Sequence, residues 1–255
     1  MSKKEIPNSP PDLPEVNFSD YGDVRFLHLG TEWVQGSMLR DAPYDIELEY
    51  VQRMMAGLLF TDAGEIAKKH AMQLGLGSAA LTKFCYKKLR MQTTAIEINP
   101  QVINACRLWF KLPRDDARLR VIQADAALEV QNPAHRGTVD LLHVDLYDHE
   151  AAAPVLDNAD FYAHCRDLLT GDGVMTVNLF GRASSYEQSL TKIAESFGPE
   201  SIWAFRPTRE GNTVVMAQQE PSRPEQAELL QRAGVVESRW ELPAKKWLRL
   251  FRPVV

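Results

Sequence analysis

The chain has 255 residues, of which 45% are hydrophobic and 25% are charged. These fractions are typical of globular proteins and exclude an intrinsically disordered chain, and the length suits one large domain with an appended element. The formal net charge is -5, so no bulk positive field draws the protein to nucleic acid or to an anionic membrane. We therefore expect a small-molecule partner, with no nucleic acid and no membrane.

The spacing of the cysteines and the hydropathy of the chain indicate the cellular compartment in which the protein works. Three cysteines lie far apart without CxxC spacing, at Cys85, Cys106 and Cys165, which indicates neither a disulfide framework nor a structural zinc site. The N-terminal stretch has two lysines but no apolar run behind them, and no run of apolar residues is long enough to span a bilayer. We expect a cytoplasmic protein without a signal peptide or a membrane span.

Composition and patterning divide the chain into four regions. Residues 1–20 are rich in Pro, Asn, Ser and Asp, and we predict a flexible arm because so few apolar side chains cannot offset the entropy of ordering. Residues 21–60 begin with an alternating pattern between Val24 and Met38, which indicates two paired short strands, and continue into a first helix after Pro43. The other two regions are a Rossmann-like domain over 61–220 and a C-terminal extension over 221–255.

Strand-like and helical segments alternate through the third region. The strand-like segments are HAMQLG, TTAIEI, LRVIQADA, VDLLHVDLYD and GVMTVNLF, and helical segments such as PQVINACRLWF and DFYAHCRDLL lie between them. This alternation predicts an α/β fold with a doubly wound, mainly parallel sheet. Two further strands, SIWAFRP and NTVVMAQQE, and a polar helix around 225–234 are predicted near the end of the chain.

Small and acidic residues follow successive predicted strands. Gly75-Leu76-Gly77 lies between a strand and a helix, where backbone can approach a ligand beside free N–H groups; a tight turn without a ligand remains the alternative. Glu97 ends the next strand, where nucleotide-binding α/β folds place a carboxylate against ribose hydroxyls. A helix-capping or surface charge is the alternative for Glu97.

Further carboxylates end the third and fourth strands. Asp125 can accept a hydrogen bond from an adenine amino group, or it can cap a loop. Asp145 and Asp148 together can hold a cationic amine and take its proton, unless they form a solvated acidic loop. Ligands in open α/β sheets bind along the carboxyl ends of the strands, so we expect one crevice. The nearby histidines lack metal-ligand spacing, and no metal is expected.

These segments resemble the polyamine aminopropyltransferases, best known as spermidine synthases, which share the fold of S-adenosylmethionine-dependent methyltransferases. The resemblance extends over residues 24–218 and rests on LGTEWVQGSM, LEYVQRMM, LGLG, AIEINPQVI, RLRVIQADA, LLHVDLYD and FYAHCRDLLTGDGVMTVNLFG, in the family's order. It implies a seven-stranded Rossmann-like sheet behind a small N-terminal β element, and a homodimer. It also implies decarboxylated S-adenosylmethionine as co-substrate, with no prosthetic group.

The resemblance implies roles for individual residues. The nucleoside-binding residues would be Gly75, Gly77, Glu97, Asp125 and Ala126. Asp145 would be the catalytic base that deprotonates the attacking amine, and Asp148 would help to bind that amine. Further substrate-binding residues would be Gln35, Tyr50 and Gln52.

Two departures from the family pattern leave the substrate open. The family loop usually reads GGGDG, and its Asp binds the aminopropyl end of the donor, whereas this chain has Gly75-Leu76-Gly77-Ser78-Ala79. The family usually has a tyrosine in a PTYP segment, whereas this chain reads Pro207-Thr208-Arg209-Glu210. Aminopropyl transfer to a polyamine such as putrescine, with release of methylthioadenosine, is the first hypothesis. The alternatives are an S-adenosylmethionine-dependent methyltransferase and a non-catalytic relative that binds a nucleoside or a polyamine.

Overall fold

The computed structural model describes residues 13–146, 156–180 and 183–255. The predicted substrate residue Asp148 and the first twelve residues of the predicted arm lie outside these ranges. Within them, no helix combines the length and the hydropathy that a membrane crossing requires.

The chain forms a small antiparallel sheet and a large mixed sheet. The small sheet contains β1 (Val16–Tyr21), β2 (Val24–Leu29) and β3 (Val34–Leu39). The large sheet contains β4 (His70–Leu74), β5 (Gln92–Glu97), β6 (Leu119–Gln123), β7 (Val139–Val144), β8 (Leu169–Phe180), β9 (Ile202–Phe205), β10 (Asn212–Gln218) and β11 (Phe251–Pro253).

Eight α-helices are described, several of them only one or two turns long. They are α1 (Glu49–Met54), α2 (Ala80–Lys87), α3 (Pro100–Trp109), α4 (Ala126–Glu129), α5 (Ala159–Leu168), α6 (Ala183–Phe197), α7 (Gln226–Trp240) and α8 (Ala244–Trp247). Side chains at Asn99, Asp125 and Asn158 accept hydrogen bonds from the first turns of α3, α4 and α5, which satisfies N–H groups that have no partner inside the helix.

The strand order of the large sheet is β11-β9-β10-β8-β7-β4-β5-β6. The strands from β8 to β6 are parallel, and β10, β9 and β11 continue the sheet in antiparallel fashion. The predicted doubly wound α/β fold is confirmed, with one strand more than the seven expected because β11 adds to an edge. The chain leaves β4 towards β5 on one side and reaches β7 on the other, so the carboxyl ends of β4 and β7 form the topological switch point.

Helices cover both faces of the large sheet. Val214 and Met216 of β10 pack into a core with residues of α1, α2, α7 and α8, whereas Val215 and Ala217 of the same strand pack into a core with residues of α5 and α6. The alternation follows from the two-residue period of a strand. Burial on both faces leaves the strand ends and their loops as the places where a ligand can reach the sheet.

Both ends of the chain join the fold more closely than expected. Residues 16–20 were predicted to belong to a flexible arm, but they form most of β1, which pairs with β2 along its whole length. Hydrogen bonds to β2 order this polar segment, and Phe18 packs 5.2 Å from the ring of Trp109. The C-terminal extension is not separate either, since Phe251 of β11 stacks 4.5 Å from the ring of Phe205.

We expect Phe251→Ala to lower the free energy of unfolding by about 3–5 kcal/mol, because it leaves a cavity among buried aromatic rings. Phe251 is 2% exposed, whereas Val255, which is 71% exposed, provides a control nearby. Urea denaturation measures both variants, and Val255→Ala should match the unchanged protein. Equal midpoints for the two variants would show that β11 unfolds independently of the sheet.

Candidate active site

A cavity of about 890 Å³ lies at the switch point. Its walls come from the loops after β4, β5, β6 and β7, from the small sheet, and from the segment that begins α1. Eight predicted site residues line it: Gln35, Tyr50, Gly75, Gly77, Glu97, Asp125, Ala126 and Asp145. The parallel pairing of β4 with β5 and β7, and of β5 with β6, aligns the carboxyl ends of these strands and brings together the six residues that lie at those ends. The other two, Gln35 and Tyr50, come from β3 and α1.

The glycine loop after β4 lies directly against the residue that follows β7. Gly75 has φ +82° and Gly77 has φ +51°, values that a residue with a Cβ rarely adopts. A Cβ on Gly75 would stand 2.3 Å from the carbonyl oxygen of Asp145. The N–H of Asp145 donates to the carbonyl of Leu74 at 3.0 Å, and that of Gly75 donates to Ile96 at 2.9 Å. Backbone contacts therefore hold the loop and Asp145 in register.

Glu97 joins this loop to the end of β5. Its Oε2 accepts a hydrogen bond from the Leu76 N–H at 2.9 Å, and its Oε1 accepts one from the Asn99 N–H at 2.8 Å. Burial raises the pKa of Glu97, and the backbone donors act in the opposite direction. An ionised carboxylate has about four acceptor positions, so Glu97 can also accept hydrogen bonds from a ligand in the cavity.

Asp125 has the capping role that the sequence left open. Its Oδ1 accepts a hydrogen bond from the Ala127 N–H at 2.8 Å at the start of α4. Asp125 is nevertheless exposed and lines the cavity together with Ala126, which is buried. A cap uses one carboxylate oxygen and leaves the other available, so the predicted role beside adenine remains a prediction.

Asp145 has the carboxylate best placed for proton transfer. Its Oδ1 accepts a hydrogen bond from Asn178 Nδ2 at 2.9 Å, and its Oδ2 accepts one from the Tyr50 hydroxyl at 3.3 Å. Asn212 Nδ2 donates to Asn178 Oδ1 at 3.1 Å and so turns that amide towards Asp145. Burial raises the pKa of Asp145, and the two donors only partly oppose this. The carboxylate is thus oriented, partly desolvated and ready to accept a proton.

Several cavity residues were not predicted from the sequence. Asn178 orients Asp145, and Phe180, Glu47, Glu210 and Asn212 line the same space. The signal for Asn178 was a single amide inside the apolar run GVMTVNLF, since a buried polar side chain requires a partner. Asn178 is 4% exposed. The remaining residues come from segments that carry no comparable pattern.

Gln52 does not belong to this group. Its Nε2 donates to the carbonyl of Ile46 at 2.7 Å, and it is absent from the cavity lining. The first turn of α1 directs this amide to the chain that precedes the helix, so the substrate contact of Gln52 stays a prediction that the cavity lining does not support. Asp148 is outside the described residues, so Asp145 is the only member of the predicted acidic pair that the structure describes.

The histidine in β7 is a core residue. Burial lowers the pKa of His143 to about 4, so the ring is neutral, and its Nδ1 lies 2.9 Å from Thr176 Oγ1. In the part of the chain that the structure describes, no three His, Cys, Asp or Glu side chains are grouped as metal ligands would be.

Comparisons with known proteins fit this geometry. No protein-family profile matches the chain. It is 34% identical over 232 residues to the polyamine aminopropyltransferase of Chromobacterium violaceum, covering 90% of this chain and 86% of the relative. It is also 34% identical over 206 residues to the enzyme of the same name from Neisseria meningitidis serogroup A, covering 80% of this chain and 76% of the relative.

Solved structures share the fold. A probable spermidine synthase from Corynebacterium glutamicum has a TM-score of 0.70 at 18% identity, covering 89% of this chain and 82% of its own. A spermidine synthase in complex with the transition-state analogue AdoDATO has a TM-score of 0.69 at 15% identity, covering 95% and 84%. Human methyltransferase-like protein 13 in complex with SAH has a TM-score of 0.68 at 22% identity, covering 76% and 93%.

We expect Gly75→Ala to destabilise the protein more than Gly22→Ala. Gly22 has φ +59° with nothing near the position of a Cβ, so its substitution costs about 1 kcal/mol of backbone strain alone. The substitution at position 75 adds a collision with the Asp145 carbonyl. Equilibrium urea unfolding of both variants isolates the cost of that collision, and equal losses would contradict the close approach.

Proposed function

Because the chain belongs to the polyamine aminopropyltransferase family, we propose that it transfers an aminopropyl group from decarboxylated S-adenosylmethionine to a polyamine such as putrescine, releasing methylthioadenosine. The observation that carries the proposal is the oriented, partly desolvated carboxylate of Asp145 beside the glycine loop at the switch point. The sulfonium nucleoside is a co-substrate that is consumed, and no resident prosthetic group takes part.

The nucleoside occupies the half of the cavity beside β4, β5 and β6. Glu97 accepts hydrogen bonds from the ribose hydroxyls with its remaining acceptor positions. Asp125 and Ala126 lie on the adenine side, where the free carboxylate oxygen of Asp125 accepts from the amino group. Gly75 and Gly77 allow the backbone to approach the sulfur end of the ligand. This placement directs the sulfonium towards Asp145.

Asp145 then takes a proton from the attacking primary amine. The freed nitrogen lone pair forms a bond to the carbon beside the sulfonium, and the carbon–sulfur bond breaks with its electron pair moving to sulfur. The products are methylthioadenosine and a lengthened polyamine, and the proton remains on Asp145 until it passes to solvent. Tyr50 and Asn178 orient the base, and Gln35 lines the reacting region. Positioning and charge complementarity supply most of the rate.

Carboxylates at the open side of the cavity suit a polycationic acceptor. Glu32 and Glu210 are exposed and line the cavity. Their field attracts ammonium groups and raises the local concentration of amine. Glu210 occupies the segment in which the family usually has its PTYP tyrosine, so a charged contact takes the place of an aromatic one. Asp148 remains a further proposed amine ligand.

We further propose that the protein is a cytoplasmic homodimer. Its three cysteines are free and buried, as suits a reducing compartment. Tyr21, Leu108 and Trp109 expose large apolar side chains around β1 and α3, a surface that a second copy can cover. Light scattering coupled to gel filtration tests the dimer, and a monomer at micromolar concentration would contradict it.

The reaction itself is tested by product analysis. Purified protein is incubated with putrescine or with other amines, and with either decarboxylated or intact S-adenosylmethionine. We expect methylthioadenosine from the decarboxylated donor only. S-adenosylhomocysteine from the intact donor would instead indicate a methyltransferase. Tight methylthioadenosine binding without any product would indicate a non-catalytic relative.

We expect Asp145→Asn to reduce turnover by about 10²–10⁴-fold, because an amide cannot accept the amine proton. Affinity for methylthioadenosine should be unchanged within a few fold, and the melting temperature should not fall, since the substitution removes a desolvated charge. Asp172→Asn makes the same chemical change at an exposed position near the opposite end of the sheet and should retain full activity. An active Asp145→Asn variant would remove Asp145 from the mechanism.

The pH profile provides an independent test of the base. Burial raises the pKa of Asp145 and the Asn178 amide lowers it, so kcat/KM should fall as pH decreases through a value above the ordinary aspartate range. Asn178→Ala removes the opposing hydrogen bond and should move this acid limb to higher pH. The amine titrates identically in both proteins, so superimposable acid limbs would contradict the assignment.

A further inference from the structure

Glu47 is a half-buried cavity carboxylate with an unusual set of partners. Its Oε2 accepts a hydrogen bond from Ser37 Oγ at 2.5 Å. The acidic residues on either side in the chain are neutralised, Asp45 by Lys88 and Glu49 by Arg53 and Lys246. Among the residues that the structure describes, no cation forms an ion pair with Glu47.

The residue that holds Glu47 also contacts the glycine loop. Ser78 Oγ donates to the carbonyl of Ser37 at 2.8 Å, and a Cβ on Gly36 would stand 2.7 Å from the N and Oγ of Ser78. Strand β3 therefore lies directly on the loop that follows β4. Because the Ser37 side chain bonds Glu47 while its carbonyl bonds Ser78, the Glu47 carboxylate is held beside this loop.

Two connected observations place Glu47 near the reacting groups. It lines the main cavity together with Gly77, Tyr50 and Asp145. It also lines an annex of about 20 Å³ with the same three residues and Ser78. That space holds one group the size of a water molecule, which is also the size of an ammonium group. A carboxylate that has no ion pair with a protein cation favours a bound cation at such a space.

We propose that Glu47 binds the terminal ammonium of the aminopropyl group in decarboxylated S-adenosylmethionine and so selects this donor against the intact one. The assignment rests on the proposed function. Ser78 has no charge, is 2% exposed and donates its hydroxyl to β3, so the loop itself contributes no carboxylate. The anionic group comes instead from the segment before α1.

The same contact explains how the protein rejects the intact donor. Intact S-adenosylmethionine carries a carboxylate on the carbon that bears its ammonium group, so it would bring a like charge towards Glu47. The decarboxylated donor brings only the cation. Discrimination thus combines attraction for one donor with repulsion of the other.

The test compares three ligands on three proteins by calorimetry without amine, so that no turnover occurs. The ligands are methylthioadenosine, which lacks the ammonium, decarboxylated S-adenosylmethionine and the intact form. The proteins are the unchanged chain, Glu47→Gln and Asp45→Asn, in which the same charge is removed two residues away and outside the cavity lining. Glutamine keeps the size of the side chain and an acceptor for Ser37.

We expect Glu47→Gln to weaken binding of the decarboxylated donor by about 10–100-fold, the range for loss of a charge-assisted hydrogen bond. Methylthioadenosine should bind within twofold of the unchanged protein, which also shows that the site is folded. The preference for the decarboxylated donor over the intact donor should shrink. Asp45→Asn should behave as the unchanged protein.

The outcomes separate this inference from the proposed function. Equal effects of Glu47→Gln on methylthioadenosine and on the decarboxylated donor, or no effect on either, would overturn the role of Glu47 while the unchanged enzyme still makes methylthioadenosine. An unchanged protein that neither binds these nucleosides nor makes a product would overturn the proposed function and the inference together.

Discussion

The close approach of Gly75 to the backbone of Asp145 is the constraint on which the site depends. A Cβ at position 75 would stand 2.3 Å from the Asp145 carbonyl oxygen, so the loop after β4 and the end of β7 can meet only through a glycine. The meeting point is the switch point of the sheet, where parallel strands diverge and leave a crevice. Backbone packing thereby places the glycine loop and the Asp145 carboxylate side by side.

The carboxylates in this crevice accept hydrogen bonds from different kinds of partner. Glu97 relies on backbone N–H groups, Asp145 on the neutral side chains of Tyr50 and Asn178, and Glu47 on Ser37. Burial raises the pKa of Asp145, so the folded state holds its proton more tightly than the unfolded state does. The stability that this group contributes is complete below the ordinary aspartate pKa and is lost as pH rises through the raised value. At neutral pH the ionised carboxylate of Asp145 therefore lowers the free energy of unfolding, and the packing of the surrounding core offsets this loss.

The sequence predicted the parallel part of the fold because its strands are apolar runs bounded by turn residues. β1 was missed because VNFSDY is polar and is ordered only by pairing with β2. β11 was missed because a strand of three residues is too short to show an alternating pattern of apolar and polar side chains. The first helix, predicted after Pro43, begins only at Glu49 and tightens into a 3-10 turn at Met55–Leu59, where Gly57 packs closely against Val174. Tertiary contacts of this kind override local pattern.

The same limit applies to the candidate site. Residues at strand ends, such as Glu97 and Asp145, could be predicted because a parallel sheet brings strand ends together. Glu47 could not, since its position depends on how β3 folds over the loop at Ser78. Gln52 was predicted beside the other site residues but lies outside the cavity lining, because resemblance along α1 does not specify which way an amide turns.

A crystal structure of the protein with methylthioadenosine and putrescine would show whether Asp145 meets the attacking amine. We expect a primary amine nitrogen about 2.6–3.2 Å from a carboxylate oxygen of Asp145, which is the reach of a general base. We also expect the same nitrogen to face the sulfur of a nucleoside whose ribose contacts Glu97. An amine bound away from Asp145, or a nucleoside outside the switch-point crevice, would contradict the role of Asp145 as the base.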